Sequence, residues 1–465
     1  MKKILCTMAA VGCLMATTSA QTLFEENITI PEGFAPTEFV MPPSPLTIQI
    51  LFIGGVDMVQ TTSTYGNPAG ETPAKEWHDF IGFTPDNESE DLGWISINHE
   101  RIEANDMIGD GGGMTAFKVK RAADGTLEIV EQVLEDGRSG KFFNVDFANT
   151  VGETGMNCGG ISSMVDGRIW TAEEWFRTSN GSIHTSRGAA GVRDTMPYTI
   201  SSDIPGWDGV TVEKYENMNY MVEIDPKQAK AIRKQYNWGR QPFEGGAIAP
   251  GNRRVYLGPD NTPGFFGMFV ADEPGDFTKG TLFAYKHDKE GYNWVPIWEE
   301  GAMLNHLSVA ASKGATMFNR IEWVTIDPKN NFVYFTATGR DNPGSRFQRG
   351  TDAGATHHPA TIARAAAQGV DSPNSPDYTD YYGSIFQYNP ATDEVSLFLE
   401  AGPYFEESPE EANYPEKHLS NPDGLSIMQI DGRSFLVIQE DLNGTSNGRV
   451  PAGVSNRLCE LYLLD

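Results

Sequence analysis

Residues 158–174 read Cys-Gly-Gly-Ile-Ser-Ser-Met-Val-Asp-Gly-Arg-Ile-Trp-Thr-Ala-Glu-Glu. A metal-capable residue, Cys158, opens a strand-like run, a polar turn follows, and a second strand-like run ends on the carboxylates Glu173 and Glu174. The pattern returns from Glu244 to Asp260, from Glu322 to Asp341 and from Asp423 to Asp441, with a weaker fifth copy from His78 to Glu100. In an antiparallel hairpin the start of the first strand and the end of the second lie at one edge, so each copy delivers its ligands to the same face. Sheets arranged radially pool them around an axis. Crowded carboxylates repel and must hold protons or bind cations, so these repeats predict a metal cluster on an all-β fold, a β-propeller.

The copies are 86, 78 and 101 residues apart, counted from Cys158 through Glu244 and Glu322 to Asp423, which exceeds a minimal blade and implies inserted loops. That pitch allows five or six blades in one domain over residues 21–465, and six is the expectation. The insertions fall at 176–218, polar and rich in Gly and Ser, and at 340–382, where His357–Gln368 predicts a short helix. Loops of this kind often frame a substrate mouth.

Residues 1–20 have another purpose. Lys2 and Lys3 precede an apolar run, and Thr18-Ser19-Ala20 supplies the small residues of a cleavage site, so a signal peptide is expected and the rest would be exported to the periplasm or beyond. A lipoprotein reading at Ala10-Val11-Gly12-Cys13 leaves a short apolar region and passes over the better site downstream. No later stretch has the length of a membrane span. The whole chain carries a net charge of −28, and loss of Lys2 and Lys3 with the leader takes it to −30, which excludes non-specific nucleic-acid or anionic-membrane binding. Only Cys158 and Cys459 remain after cleavage, too few for a disulfide scaffold, although one bridge between them is the competing role for Cys158.

Seven motifs now carry a resemblance. Asn98-His99-Glu100, Asn157-Cys158-Gly159-Gly160, Thr171-Ala172-Glu173-Glu174, Gly239-Arg240 before Glu244, Val255-Tyr256-Leu257-Gly258 with Asp260, Gly314-Ala315-Thr316 through Arg320-Ile321-Glu322-Trp323, and Pro422-Asp423-Gly424-Leu425 together resemble the PhoX-type alkaline phosphatases, in that family's order. The resemblance implies an exported propeller phosphatase with two Fe³⁺ and two or three Ca²⁺ at its centre and a cysteine among the iron ligands. Departures accompany it: Lys2-Lys3 replaces a twin-arginine signal, Cys-Gly-Gly replaces Cys-Ala-Gly-Gly, Phe243 stands where a His is expected, and Ala172 where a Cys is.

Hard oxygen ligands suit Ca²⁺ and Fe³⁺, whereas one thiolate among them favours a redox-active metal, so a mixed site follows. Cys158, Glu174, Glu244 and Glu322 are assigned to the iron pair, and Asn98, Glu100, Glu173, Asp260 and Asp441 to calcium or shared positions. Asp423 is a further ligand candidate, with an ordinary Pro-Asp-Gly turn as its plainer reading. Strand alternation lets only one of Glu173 and Glu174 face the axis, and Glu174 is the choice; it also turns His99 away from its neighbours. His357-His358 reads as a solvated loop or helix start. Arg320, two residues before Glu322, has a planar fork that matches two phosphate oxygens, with a structural ion pair as the alternative. Cations that polarise an ester and activate water make a serine nucleophile unnecessary. The expected protein is a monomeric secreted phosphomonoesterase acting on small phosphate esters. A calcium-dependent propeller lactonase or esterase and a non-catalytic calcium-binding propeller are the alternatives; neither calls for a thiolate.

Overall fold

Trp170 shows how the hairpins become stacked sheets. In the computed structural model it is fully buried, with Trp238 and Phe277 at ring distances of 5.9 and 5.8 Å and the Arg168 guanidinium 5.0 Å over its face. Trp170 belongs to one sheet and Phe277 to the next, so the side chain fastens neighbours together. The structure describes residues 47–64, 66–109, 111–175, 197–287, 293–297, 304–402, 419–430, 432–441 and 459–464. Leu51–Asp465 forms the large compact unit. The expected leader at 1–20 lies outside the described residues.

Five mainly antiparallel sheets succeed one another along the chain, each with one of the anticipated hairpins at one edge. Their first strands are His78–Pro85, Asn157–Ser162, Phe243–Ile248, Ile321–Ile326 and Pro422–Ile430. These stand side by side in sequence order, and all five contribute to the walls of an axial channel of about 220 Å³. Between consecutive sheets lies an apolar layer: Phe80, Ile169 and Val222 join the first to the second, Ile161, Phe243 and Leu257 the second to the third, Tyr256, Phe266 and Phe335 the third to the fourth, and Ile385, Leu425 and Ile438 the fourth to the fifth. Each such side chain contributes about 1.5–3 kcal/mol on burial, and no sheet could bury both faces alone.

The all-β propeller expected from the sequence is present, but the described residues do not form six blades. Among the described residues there are four sheets of four or more strands and a three-stranded fifth. Residues that could have made another sheet instead enlarge the first: Phe143–Asn144 pairs with the edge of Gly113–Arg121, and the Met58–Thr61/Gly70–Pro73 hairpin follows it, giving seven strands. The 340–382 insertion carries helices α2 (Gly344–Asp352) and α3 (Pro359–Ala367), and α1 (His306–Ser312) precedes the fourth sheet. His358 starts α3 by accepting a hydrogen bond from Ala360 N at 3.2 Å, yet it is buried against Phe318 and Phe386 rather than solvated. Of the other insertion, 176–196 lies outside the described residues. No helix among the described residues is long and apolar enough to cross a membrane.

Candidate metal centre and active site

Each of the five inner strands breaks its hydrogen-bond ladder at the open end of its hairpin. Pairing skips from His78 to Ile81, Asn157 to Gly160, Phe243 to Gly245, Ile321 to Val324 and Pro422 to Leu425. The second residue of every strand falls in the gap: Asp79, Cys158, Glu244, Glu322 and Asp423. A bulge bends the strand and re-aims its side chain. All five line one cavity of about 560 Å³. Facing them are residues just past the second strands, Glu100, Glu174, Asp260 and Asp441. The fourth hairpin differs, because its second strand ends at Ala337, Thr338 follows, and Asp341 is not in the wall.

Asp79 is the ligand-type residue that sequence reasoning missed. The fifth copy was counted from His78, whereas aligning each copy on its second strand position selects Asp79. Of the expected set, Glu100, Cys158, Glu174, Glu244, Asp260, Glu322, Asp423 and Asp441 meet in the cavity together with Arg320. Two others do not. Glu173 points the opposite way from Glu174, where it pairs with Lys234 Nζ at 2.8 Å and accepts from Thr154 Oγ1 at 2.9 Å and Tyr220 N at 3.1 Å, all without exposure to solvent. Asn98 is buried behind the Cys158 strand and donates from Nδ2 to the carbonyls of Cys158 and Gly159 at 2.6 and 2.7 Å. It therefore braces that strand. His99 turns away too, with Nε2 at 2.8 Å from Thr115 Oγ1.

Glycines let the ring close. A Cβ on Gly159 would stand 1.6 Å from the Glu244 carbonyl oxygen, so the main chains of the second and third inner strands touch directly beside their ligand residues. Phe243 and Ala172, two departures from the family pattern, lie in the apolar layer between these sheets and do not line the cavity.

Three overlapping groups could hold cations: Asp79, Cys158 and Glu244; Glu100, Cys158 and Glu174; and Glu244, Glu322 and Asp423, each with its ligand atoms within 4.8 Å of one another. Cys158 belongs to two of them and Glu244 to two. The Cys158 thiol donates to Asp79 Oδ2 at 3.5 Å. No disulfide joins Cys158, which is buried, to Cys459, which is exposed. Burial, with Glu100 beside it, pushes Asp79 up to about 7. Burial and neighbouring carboxylates raise Glu174 and Glu244 well above the usual range, and burial likewise raises Glu322 and Asp423. The Cys158 thiol is raised for the same reason. Asp260 alone goes down, since Arg320 outweighs the effect of its burial.

Arg320 accounts for that exception. Its Nε and Nη2 form a fork on Asp260 at 2.8 and 3.0 Å, and Nη2 lies 2.9 Å from Glu322 Oε1. That second contact is off the hydrogen-bonding line, and Glu322 Oε1 and Glu244 Oε2 are buried without a hydrogen bond among the described residues. Buried carboxylate oxygens with no donor, grouped with a thiol, fit a multi-cation centre of hard and soft ligands.

The model of the family described as alkaline phosphatase PhoX matches residues 25–461. Among solved structures, Pseudomonas fluorescens PhoX in complex with vanadate, a transition state analogue, is similar at 19% identity and a TM-score of 0.54, with 83% of this chain and 77% of that chain covered. A putative phosphatase from Bacteroides thetaiotaomicron aligns at 13% identity over 80% of this chain and 62% of that chain, with a TM-score of 0.32. Comparison with curated proteins gives no match. With a family match across nearly the whole sequence and a carboxylate-lined cavity at the hairpin ends, the chain belongs to the PhoX alkaline phosphatase family and is a hydrolase of phosphoric ester bonds.

Proposed function

We propose that this protein is an exported, monomeric phosphomonoesterase that releases phosphate from small organic esters at a cluster of iron and calcium ions. The observation that carries the reading is the set of three overlapping ligand groups, two of which share the Cys158 thiol, with a guanidinium at their side. Asp79, Cys158, Glu244, Glu100 and Glu174 would hold the softer, redox-active pair. Glu322, assigned from the sequence to the iron pair, groups with Glu244 and Asp423 instead, and with Asp423, Asp260 and Asp441 it would hold the harder ions. Cations there supply positive charge to the phosphoryl oxygens and acidity to an attacking water.

The chain's own residues do the rest. Arg320 uses its side-on edge, Nε and Nη2, to fix Asp260. Its end-on edge, Nη1 and Nη2, remains to meet two phosphoryl oxygens, because a guanidinium has five donors in a planar arrangement. Trp323 lines both the active cavity and the axial channel, and so provides an apolar floor between them.

Protein purified from the exported fraction should contain iron and calcium together, carry a visible thiolate-to-Fe³⁺ absorption band, and hydrolyse p-nitrophenyl phosphate until chelator removes its metal. Arg320→Ala should cut turnover roughly a hundredfold, about 3 kcal/mol of transition-state stabilisation, and weaken inhibition by inorganic phosphate. A colourless, fully active protein with calcium alone would rule out iron. Lack of hydrolysis at full cation occupancy would leave a binding propeller.

A further inference from the structure

The ring of acids is broken in the fourth sector, where Thr338 stands in the position that Glu100, Glu174, Asp260 and Asp441 occupy in the other hairpins. The chain leaves the strand there through Gly339 and Arg340 and enters α2 at Gly344, with Arg346 in its first turn. This connection is pinned. Arg340 N donates to Asp380 O at 2.6 Å, Asp380 N donates back to Arg340 O at 3.3 Å, and a Cβ on Gly339 would lie 2.1 Å from the Tyr381 carbonyl oxygen. Arg340 is therefore held on a fixed loop two residues beyond the Thr338 ring position, close enough to feel the charges of Arg320, Asp260 and Glu322.

Its guanidinium has no hydrogen-bond or ion-pair partner among the described residues, and neither has that of Arg346, whose charge acts on it from the first turn of α2. The carboxylate nearest along the backbone pairing, Asp380, is already engaged by Arg364 Nη1 at 2.6 Å and by Asn319 Nδ2 at 3.3 Å. Two half-buried like charges that act on each other are unfavourable unless an anion comes between them. In a chain with 63 acidic and 35 basic residues, leaving both without a carboxylate is conspicuous economy of counter-ions at one place.

We propose that Arg340 and Arg346 form an anion subsite on the rim, which receives a second anionic group on the leaving-group side of the ester. The preferred substrates are then small esters that carry a further phosphate or carboxylate. This rests on the phosphatase reading and adds a substrate class to it. Arg340 and Arg346 are specificity residues, apart from the groups that meet the reacting phosphoryl.

The test compares butane-1,4-diol monophosphate with butane-1,4-diol bisphosphate on the metal-loaded protein. Wild type should favour the bisphosphate at least tenfold in kcat/KM, mainly through a lower KM, and more so at low salt. Arg340→Gln/Arg346→Gln should bring that ratio close to the statistical factor of two for two equivalent phosphates, while kcat on the monophosphate stays within about twofold of wild type, which also reports an intact fold. Arg340→Lys should restore part of the preference. Wild-type turnover of both esters without preference would overturn the subsite alone, as would an equal loss on both esters in the double variant. Hydrolysis of neither ester by loaded wild type would overturn the phosphatase reading and this proposal with it.

Discussion

Glu173 and Glu174 are adjacent, equally acidic and both buried, yet one neutralises Lys234 and the other faces the cavity. Alternation along a strand separates them, and that much was legible from the spacing alone. Asp79 was not legible in the same way, because the bulge that re-aims it has no signature in the His-Asp-Phe stretch itself and appears only when the five hairpins are superimposed. Its grouping with Cys158 and Glu244 gives a direct test. Asp79→Asn keeps the shape and removes the charge, so the loaded protein should retain fewer cations, with any Cys158-derived absorption shifted or lost. Cation content and spectrum unchanged from wild type would show that Asp79 is not a ligand. Asn98→Ala should instead loosen the Cys158 strand without changing the ligand set, because its amide bonds reach only backbone carbonyls.

At the scale of elements, the hairpins were readable because each joins a period-two apolar pattern to a tight polar turn. What surrounds them was less so. The Met58–Thr61/Gly70–Pro73 hairpin carries nothing in its composition that assigns it to the first sheet, and register choices among edge strands depend on contacts distant in sequence. The second sheet also contains an ion pair that no local pattern announces. Lys234 on its fourth strand reaches Glu173 on its second, both at 0% exposure, with the Asn217 carbonyl also accepting from Nζ. Burial lowers the lysine and raises the glutamate, and each partner opposes the other's shift. Lys234→Met should cost about 3–5 kcal/mol, since it strands a buried charge, whereas the double change Lys234→Met/Glu173→Leu should recover most of that loss. Urea midpoints of the two variants decide it, and a single variant as stable as wild type would show that Glu173 is protonated in the native fold.

For the whole molecule, the acidic centre sets the sign of its response to pH. Asp79 moves from 3.8 to about 7, and Glu174, Glu244, Glu322 and Asp423 move in the same direction, while Asp260 alone opposes them. Between about pH 4 and 7 the folded protein without cations holds protons that the unfolded chain has released, so its stability falls as pH rises through that window. Cations take the place of those protons when bound, and they bind better as pH rises. Chelator-treated protein should therefore melt at a higher temperature at pH 5 than at pH 8, and cation-loaded protein should show a smaller dependence or the reverse one. A treated protein that is more stable at pH 8 would mean that the carboxylates are not confined as described. The chain's charge of −28 foretold an acidic molecule, but it could not say which acids share one cavity.

The contact between Gly159 and the Glu244 carbonyl has a consequence for ion size. Side chains could yield to a smaller ion, but here the second and third inner strands already touch through their main chains. The ligands they carry cannot be drawn together by moving the strands closer. Mg²⁺, which demands oxygens at about 2.0–2.1 Å in a near-ideal octahedron, gains nothing from a frame that will not contract, whereas Ca²⁺ accepts about 2.3–2.6 Å and irregular coordination. The aperture of the ring, set by a glycine and a carbonyl oxygen rather than by the acids themselves, thus acts as a gauge of ionic radius.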